Sequence, residues 1–379
     1  VFLKMHGHKR SEYKARLLDP KVAAAMQHKA NQWFKLNDTV LALPNPKDLD
    51  WSDSKSNGTA TTTLELLANM LLVNPDPLYL WQRRRSWLLE YWKPKESITD
   101  PAIINAEKDL WEEEFSLTRK CLERNPKAYG AWFHRKWCVI QYCSSKVGIS
   151  KSSSHAVSFL EQELQVTAQF LSLDERNFHG WNYRRFIVAC LCGSPSGELT
   201  LEEENITLMG AQIRVGDGVE IGIAVTKADI RKRLRTEFDF TSQKIQQNFS
   251  NGSAFHYRSL LLQVILDQND DVSLEQELEL THNAMFTEPD DQTAWWYYDF
   301  LLTQYHETID LEEEKELLEE LIDAEGGQAK WALLALFQIL SRIERSDNNL
   351  VRQKEILDTL VTLDPVRRAR YKDMIKWIK

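Results

Sequence analysis

The chain has 379 residues, of which 43% are hydrophobic and 27% are charged, and its formal net charge is −9. This composition is typical of a folded globular protein, and the negative charge argues against a general nucleic-acid binder. The chain contains 13 Trp but only 14 Gly and 11 Pro. Because few Gly and Pro leave few turns for an all-β protein, and helix-forming residues fill most segments, we expect helices throughout.

The cysteines show no CxxC pair and no Cys/His spacing suited to zinc; they are Cys121, Cys138, Cys143, Cys190 and Cys192. We expect buried thiols in a reducing compartment, the alternatives being disulfides or a metal site. No apolar run reaches the roughly 18–20 residues that a membrane-spanning helix needs, and the opening residues lack a signal-peptide core. We therefore expect a cytoplasmic protein without a transmembrane segment.

In chain order, the first distinct feature is the polar segment 45–63, NPKDLDWSDSKSNGTATTT, which we predict to be a loop. A recurring motif follows, in which a turn precedes an aromatic residue and an Arg stands three residues after that aromatic residue. The successive copies are Trp81 with Arg84, Trp132 with Arg135, Trp181 with Arg184, Phe255 with Arg258, and Trp295 with Tyr298 in the Arg position. A weaker sixth copy centres on Trp331.

The aromatic anchors are 51, 49, 74, 40 and 36 residues apart. Internal repeats of about 35–50 residues are typical of helical-hairpin solenoids. In the second copy we predict a helix at 109–124, a cap at Asn125 and the start of the next helix at Pro126. Trp132 then fills the gap between helices, and Arg135, on the same buried stripe, requires a carboxylate or carbonyl partner.

The 74-residue step contains an insertion at 193–230, with Gly-Asp-Gly at 216–218 between β-branched runs. This pattern predicts a short hairpin or a mobile loop within one helical-repeat domain that spans residues 1–379. The segment 307–325, ETIDLEEEKELLEELIDAE, predicts an acidic amphipathic helix whose charges form a solvated face.

The stretches NPKAYGAWFHRKW, DERNFHGWNYRRF, QNFSNGSAFHYRS and EPDDQTAWWYY resemble the α subunits of protein prenyltransferases. They resemble the Rab geranylgeranyltransferase type more closely than the α subunit shared by farnesyltransferase and the type I enzyme. MHGHKR and LDPVRRARYKDM also look like the Rab type. The resemblance covers residues 5–45 and 64–379 and is to the compact form, without immunoglobulin-like and leucine-rich repeat domains. It implies an all-α, right-handed superhelical crescent of about six helical hairpins.

The resemblance also implies a function. Together with a β subunit that holds zinc, such a chain transfers geranylgeranyl from geranylgeranyl diphosphate to C-terminal cysteines of Rab GTPases presented by a Rab escort protein. Two alternatives stay open: the α subunit of a CaaX farnesyl- or geranylgeranyltransferase, and a non-catalytic helical-repeat scaffold.

Five residues are candidates for chemistry. Lys127 stands at a helix start, where both the ammonium group and the helix terminus favour an anion. The resemblance implies that Lys127 contacts the diphosphate, that Tyr129 and His179 act beside it, and that Asn177 and Phe178 face the substrate. Phe178 departs from the family Tyr and lacks its hydroxyl. The alternatives are an exposed turn lysine and a helix-start histidine without a catalytic role.

The N-terminal stretch carries His6 and His8. A terminal histidine usually has no function, but the resemblance implies that this segment reaches the β-subunit active site. His6 is then a candidate ligand of the β-subunit zinc, and we expect no metal site within the chain itself.

Overall fold

In a computed structural model of the chain, the described residues are 19–91, 101–144, 153–194, 198–201, 204–207, 225–266 and 272–378. The candidate ligand His6 lies outside them. The chain forms two compact units, residues 1–226 and residues 227–379. Each unit is built from helical hairpins, in which a first helix packs against the second helix that follows it.

In the first unit, α1 precedes three hairpins, α2–α3, α4–α5 and α6–α7, and a short 3-10 helix (Pro46–Asp48) separates α1 from α2. The helices are α1 (Pro20–Leu41), α2 (Ser54–Val73), α3 (Leu78–Tyr91), α4 (Pro101–Arg124), α5 (Tyr129–Ser144), α6 (Ser153–Leu173) and α7 (Phe178–Leu191). Strands β1 (Glu198–Leu201) and β2 (Glu204–Thr207) follow α7 and pair antiparallel.

The second unit contains four hairpins, α8–α9, α10–α11, α12–α13 and α14–α15. The helices are α8 (Lys227–Gln247), α9 (Gly252–Leu266), α10 (Leu274–Thr287), α11 (Gln292–Tyr305), α12 (Leu311–Ala324), α13 (Lys330–Leu340), α14 (Asp347–Leu363) and α15 (Arg368–Trp377). The prediction of an all-α fold made of repeated hairpins is thereby confirmed.

The described residues contain seven hairpins where the sequence predicted about six. The additional hairpin is α14–α15, and its turn begins with Asp364 and Pro365. Tyr371, six residues after that proline, is 1% exposed, and its hydroxyl donates to Asp364 Oδ2 at 2.8 Å. Tyr371 therefore takes the place that Trp or Phe holds in the other copies, which is why the motif was missed.

The predicted loop at 45–63 is wrong in its second half, because α2 begins at Ser54. Asp53 caps this helix by accepting a hydrogen bond from the Lys55 amide at 3.0 Å. The polar side chains are accommodated because their hydroxyls donate to carbonyls one turn earlier. These hydroxyls belong to Thr59, Thr61 and Thr62.

The predicted cap at Asn125 is also wrong, because α5 begins at Tyr129. Asn125 instead closes the turn before the helix, where its Oδ1 accepts from the Lys127 amide at 3.1 Å. Pro126 lies within this turn and not in the helix. The sequence signal therefore marked the connection between two helices, three residues before the second helix starts.

The segment after α7 is described only in part. The β1–β2 hairpin pairs Glu198 with Thr207 and Leu201 with Glu204. The Gly-Asp-Gly sequence at 216–218 lies outside the described residues. Helix α8 begins at Lys227, so the last four residues of the segment predicted as an insertion, 193–230, are helical. The assignment of the chain to a single domain stays a prediction.

All five cysteines lie in the described residues, are buried and form no disulfide, as the sequence predicted. Within the ranges that the structure describes, no helix combines the length and the apolarity needed to cross a membrane.

Candidate functional site

A buried glutamate in the first helix of a hairpin joins that hairpin to the preceding one. Glu114 of α4 is fully buried. It accepts a hydrogen bond from Arg84 of α3, with Nε 2.8 Å from Oε2. The ring Nε2 of His134 on α5 lies 2.9 Å from the same oxygen. The carboxylate therefore neutralises a buried guanidinium of one hairpin while it binds the second helix of its own hairpin.

The same arrangement recurs one hairpin later and again in the second unit. Glu163 of α6 accepts from Arg135 of α5 at 2.7 Å and from the Tyr183 hydroxyl of α7 at 2.5 Å. In the second unit Glu277 accepts from Arg258 and Tyr297, each at 2.7 Å. Glu314 of α12 differs, because both of its partners lie in the preceding hairpin: Tyr298 of α11 at 2.5 Å and His282 of α10 at 2.9 Å. Glu314 is 4% exposed, so the predicted solvated acidic face of α12 contains one buried carboxylate.

Each arginine of the motif is also anchored within its own hairpin. Its guanidinium donates to a carbonyl 20 residues earlier and, in three copies, to a threonine hydroxyl 17 residues earlier. The donor and acceptor sets are Arg84 with Leu64; Arg135 with Phe115 and Thr118; Arg184 with Leu164 and Thr167; and Arg258 with Phe238 and Thr241. Each of these arginines thus has a carbonyl partner, and Arg84, Arg135 and Arg258 also have a carboxylate partner, as the sequence predicted, although the particular glutamates were not identified from it.

A signal for these glutamates does exist in the sequence. In four first helices a buried Glu is followed four residues later by a buried Thr. The pairs are Glu114 with Thr118, Glu163 with Thr167, Glu237 with Thr241, and Glu277 with Thr281. The two side chains lie one helical turn apart on the same face, which places them on the stripe that meets the arginine.

The motif tryptophans close the turn that precedes each second helix. In four copies the indole Nε1 donates to the carbonyl six residues earlier. The pairs are Trp81 with Pro75, Trp132 with Pro126, Trp181 with Glu175, and Trp295 with Pro289, at 2.8–2.9 Å. Phe255 has no N–H to donate, and Trp331 donates instead to the Asp290 carbonyl at 3.1 Å.

Among the residues that the structure describes, one buried cluster has the composition of a metal site. Glu114, His134 and Cys138 present ligand atoms that lie within 4.8 Å of one another. Burial alone raises the pKa of Glu114, but Arg84 and His134 outweigh it and hold the pKa at about 2. Because the Arg84 guanidinium already donates to both carboxylate oxygens, a metal ion would have to displace a buried cation. We therefore assign this cluster to the joint between hairpins.

The candidate residues Lys127 and Tyr129 lie at the connection from α4 to α5. Lys127 occupies the turn and is exposed, and Tyr129 is the first residue of the helix. Tyr129 is 56% exposed. Its ring stacks on that of Phe133, one helical turn further on, with centroids 6.2 Å apart.

The other candidates lie at the start of α7, in the next hairpin. Asn177 caps this helix and is 2% exposed, whereas Phe178 is 59% exposed. His179 is half-buried, and its ring centroid lies 6.0 Å from that of Tyr129. The structure therefore brings the two helix starts together, with Tyr129 and His179 as neighbours.

The charges around His179 are positive. Burial lowers the pKa of His179, and the nearby Lys136 and Lys127 lower it further, so the ring is neutral at pH 7. Burial, followed by Arg185, lowers the pKa of Lys136 to about 8. Lys136 lies on α5 with its Nζ 5.3 Å from the Phe186 ring centroid of α7. An anion placed near His179 would therefore experience an attractive potential.

The sequence did not identify the cations next to the motif arginines. A second basic residue follows the motif Arg in each hairpin of the first unit, at Arg85, Lys136 and Arg185. The Arg85 guanidinium carbon lies 5.2 Å from the centroid of Phe133. In the second unit Ser259 and Asp299 hold these positions. In the sequence, the dipeptides Arg84-Arg85, Arg135-Lys136 and Arg184-Arg185 could have indicated that the first unit has a surface of basic and aromatic side chains.

A cleft of about 710 Å³ lies elsewhere in the first unit, between α4 and α6. Its lining includes Trp111, Phe115, Arg119, Phe159 and Gln169 and none of the candidate residues. Because those candidates lie on the second helices and their turns, the cleft and the candidate site are separate features.

The fold and the buried joints define a class of protein, a helical-hairpin repeat scaffold whose successive hairpins share carboxylates. A family model described as "Protein prenyltransferase alpha subunit repeat" matches residues 111–142, 160–191, 234–265 and 274–305. These ranges correspond to α4–α5, α6–α7, α8–α9 and α10–α11. Residues 111–305 therefore contain four repeats of the protein prenyltransferase α-subunit type.

Curated relatives carry the name "Geranylgeranyl transferase type-2 subunit alpha". The rat protein is 32% identical over 249 residues, which cover 64% of this chain and 34% of the relative. The chain thus matches about a third of the length of that relative. The Candida albicans protein is 26% identical over 81% of this chain and 83% of its own length, and the Schizosaccharomyces pombe protein is 27% identical over 70% and 86%.

A solved structure has the same fold. It is titled "Candida albicans protein geranylgeranyltransferase-I complexed with GGPP", and one of its chains matches with a TM-score of 0.60 over 92% of this chain and 91% of its own. The sequence identity is 15%, so this likeness concerns the fold alone.

Proposed function

We propose that the chain is the α subunit of a heterodimeric Rab geranylgeranyltransferase. The observation that carries this proposal is the approach of Tyr129 to His179, beside Lys127, at the turns of adjacent hairpins in a prenyltransferase α-subunit repeat. The type-2 name shared by the rat and the two fungal relatives supports the Rab branch over the CaaX branch.

In this proposal the surface of the first unit that carries Lys127, Tyr129 and His179 contacts the β subunit and the geranylgeranyl diphosphate. As the bond from the isoprenoid carbon to the diphosphate oxygen breaks, negative charge grows on the leaving oxygens. Lys127 donates to these oxygens from the turn before α5, and the Tyr129 hydroxyl donates from the first residue of that helix. His179, neutral at pH 7, offers one ring N–H from the start of α7.

Zinc, in this proposal, is held by the β subunit and supplies the substrate cysteine as a thiolate. The described residues of this chain do not fit a second site, because the Glu114 carboxylate in their three-ligand cluster is already paired with Arg84. Phe178, exposed beside His179, contributes apolar contact to the substrate in place of a tyrosine hydroxyl.

The remaining parts of the proposal concern partners and location. A Rab escort protein presents the Rab GTPase, and the α chain supplies part of its docking surface. Rab GTPases act in the cytoplasm, and the buried thiols of this chain suit that reducing compartment.

The test is co-expression with a prenyltransferase β subunit, isolation of the complex, and transfer of labelled geranylgeranyl. Three acceptors are compared: a Rab GTPase with escort protein, the Rab GTPase alone, and a CaaX peptide. Transfer that requires the escort protein is the expected result. Transfer to the CaaX peptide would show that the chain is the α subunit of a CaaX prenyltransferase. If the chain pairs with no β subunit, it is a non-catalytic scaffold.

A further inference from the structure

The turn that carries Lys127 is held from both sides by side-chain amides. Its own Asn125 donates through Nδ2 to Asp76 Oδ1, in the turn of the preceding hairpin, at 3.0 Å. Asn177, from the turn of the following hairpin, donates through Nδ2 to the carbonyl oxygen of Pro126 at 2.9 Å. The peptide that precedes Lys127 is therefore tied to α7.

The Asn177 carboxamide forms its hydrogen bonds with backbone groups of the protein. It is 2% exposed, and its Oδ1 accepts from the His179 amide at 3.1 Å and from the Gly180 amide at 3.3 Å. The same side chain thus caps the helix start that carries His179 and binds the carbonyl next to Lys127. The Pro126 oxygen also accepts from Trp132 Nε1 at 2.8 Å, so both of its lone pairs are used.

A residue that binds substrate needs an accessible polar atom, and the side-chain amide of Asn177 is nearly inaccessible. It connects, through hydrogen bonds at both ends, the two backbone segments from which Lys127 and His179 project. A misplacement of about 1 Å in a group that contacts the transition state can cost up to a hundredfold in rate. The connection between the two segments is therefore relevant to catalysis.

We propose that Asn177 is a positioning residue of the transferase and not a direct substrate ligand. The inference rests on the proposed function: Asn177 sets the separation of Lys127 from His179 and acts on the diphosphate through them. It replaces the substrate-binding role that the sequence resemblance implied for Asn177.

Asn177→Ser is the variant that isolates this role. A serine hydroxyl still caps α7 but is too short to reach the Pro126 carbonyl. In the αβ heterodimer we expect kcat for escorted Rab to fall about tenfold, with KM for geranylgeranyl diphosphate changed less than twofold. Asn177→Asp, which also keeps the cap and removes the donor, must give a similar loss. If only the Asp variant is impaired, the added charge is responsible and the proposal is overturned.

A double-variant cycle with Lys127→Ala separates positioning from a general structural effect. If Asn177 acts through Lys127, the double variant is about as slow as Lys127→Ala alone. Independent effects that multiply, or a rise in KM without a fall in kcat, would assign Asn177 another role. If Lys127→Ala itself leaves kcat unchanged, the proposed function loses its diphosphate contact, and the positioning role fails with it.

Hydrogen exchange tests the connection without using activity. In the heterodimer, Asn177→Ser should accelerate exchange at least threefold in a peptide spanning 126–131, and unchanged exchange there would overturn the proposal. The matched control is Ser250→Ala in the second unit, where the Ser250 hydroxyl bonds to Asp291 and lies 3.1 Å from a Glu288 carboxylate oxygen, across two hairpin turns. That turn has no lysine at the Lys127 position, so kcat and exchange at 126–131 should both stay at the wild-type value.

Discussion

Arg135 and Glu163 form a two-point ion pair between consecutive hairpins, with Nη2 2.7 Å from Oε1 and Nε 2.8 Å from Oε2. Burial opposes the charge on Arg135, but Glu163 outweighs this and raises the arginine pKa above its ordinary value. The guanidinium of this pair therefore stays charged at any physiological pH.

Replacement of one partner leaves the other charge buried and unpaired. We expect Glu163→Gln to lower the free energy of unfolding of the chain by about 3 kcal/mol. Urea denaturation followed by circular dichroism measures the change. The control is Glu123→Gln, because the Arg119–Glu123 pair on the same unit is exposed and 3.3 Å long. It should cost less than about 0.5 kcal/mol, and equal losses in the two variants would contradict the assignment.

The pH dependence of stability follows from Glu114. Its pKa is about 2 in the fold and its ordinary value is 4.5, so the unfolded chain binds this proton first as the pH falls. Its stabilising contribution is complete above pH 4.5 and is lost as the pH falls from there toward 2. Between pH 7 and pH 3 we expect this group to account for about 2 kcal/mol of lost stability. Glu114→Gln should reduce the acid dependence by that amount, although the variant is less stable at pH 7.

Gly130 is required by the packing of Trp81. A Cβ atom at Gly130 would lie 2.5 Å from Trp81 Cδ1 and 2.9 Å from Nε1, and that indole is fixed by its bond to the Pro75 carbonyl. We expect Gly130→Ala to destabilise the chain by about 1–3 kcal/mol in thermal or urea unfolding. Gly58 lies in α2 with no atom within 4 Å of such a Cβ, so Gly58→Ala should instead stabilise the chain by about 0.5–1 kcal/mol.

Lys127 and Lys47 provide a matched pair for the proposed chemistry. Each follows Asn-Pro and is exposed, Lys127 in a turn and Lys47 in the short 3-10 helix, and each donates its amide to that asparagine at 3.1 Å. Only Lys127 lies beside His179. In the heterodimer we expect Lys127→Ala to lower kcat at least tenfold, while Lys47→Ala stays within twofold of the wild type. A similar effect of both variants on transfer to escorted Rab would point to general charge and not to a diphosphate contact.

The sequence predicted the hairpins because their buried parts repeat. An aromatic residue followed three residues later by Arg recurs in four copies, and the spacing between copies was sufficient to indicate hairpins. Helix starts were less predictable. Asn125-Pro126 suits a helix start and a turn equally well, and the choice depends on Asp76 and Asn177, which belong to neighbouring hairpins.

The joints between hairpins were not predicted, since their partners are distant in sequence. Glu114 lies 30 residues after Arg84 and Glu163 lies 28 residues after Arg135. Among several acids in each first helix, one inward-facing Glu pairs with the motif arginine, and a single sequence does not distinguish it without the companion threonine. The role of Asn177 depends likewise on a carbonyl 51 residues away.

The shared carboxylates have a consequence for how such a chain is divided. The Arg135–Glu163 pair joins the second helix of one hairpin to the first helix of the next, so charge balance is reached across α5 and α6 and not within α4–α5. A fragment that ends after α5 would retain Arg135 without its counter-ion. A stable fragment, duplication or fusion should therefore keep the helix that carries each motif arginine together with the following helix that carries its glutamate. A boundary drawn between two hairpins would separate these helices.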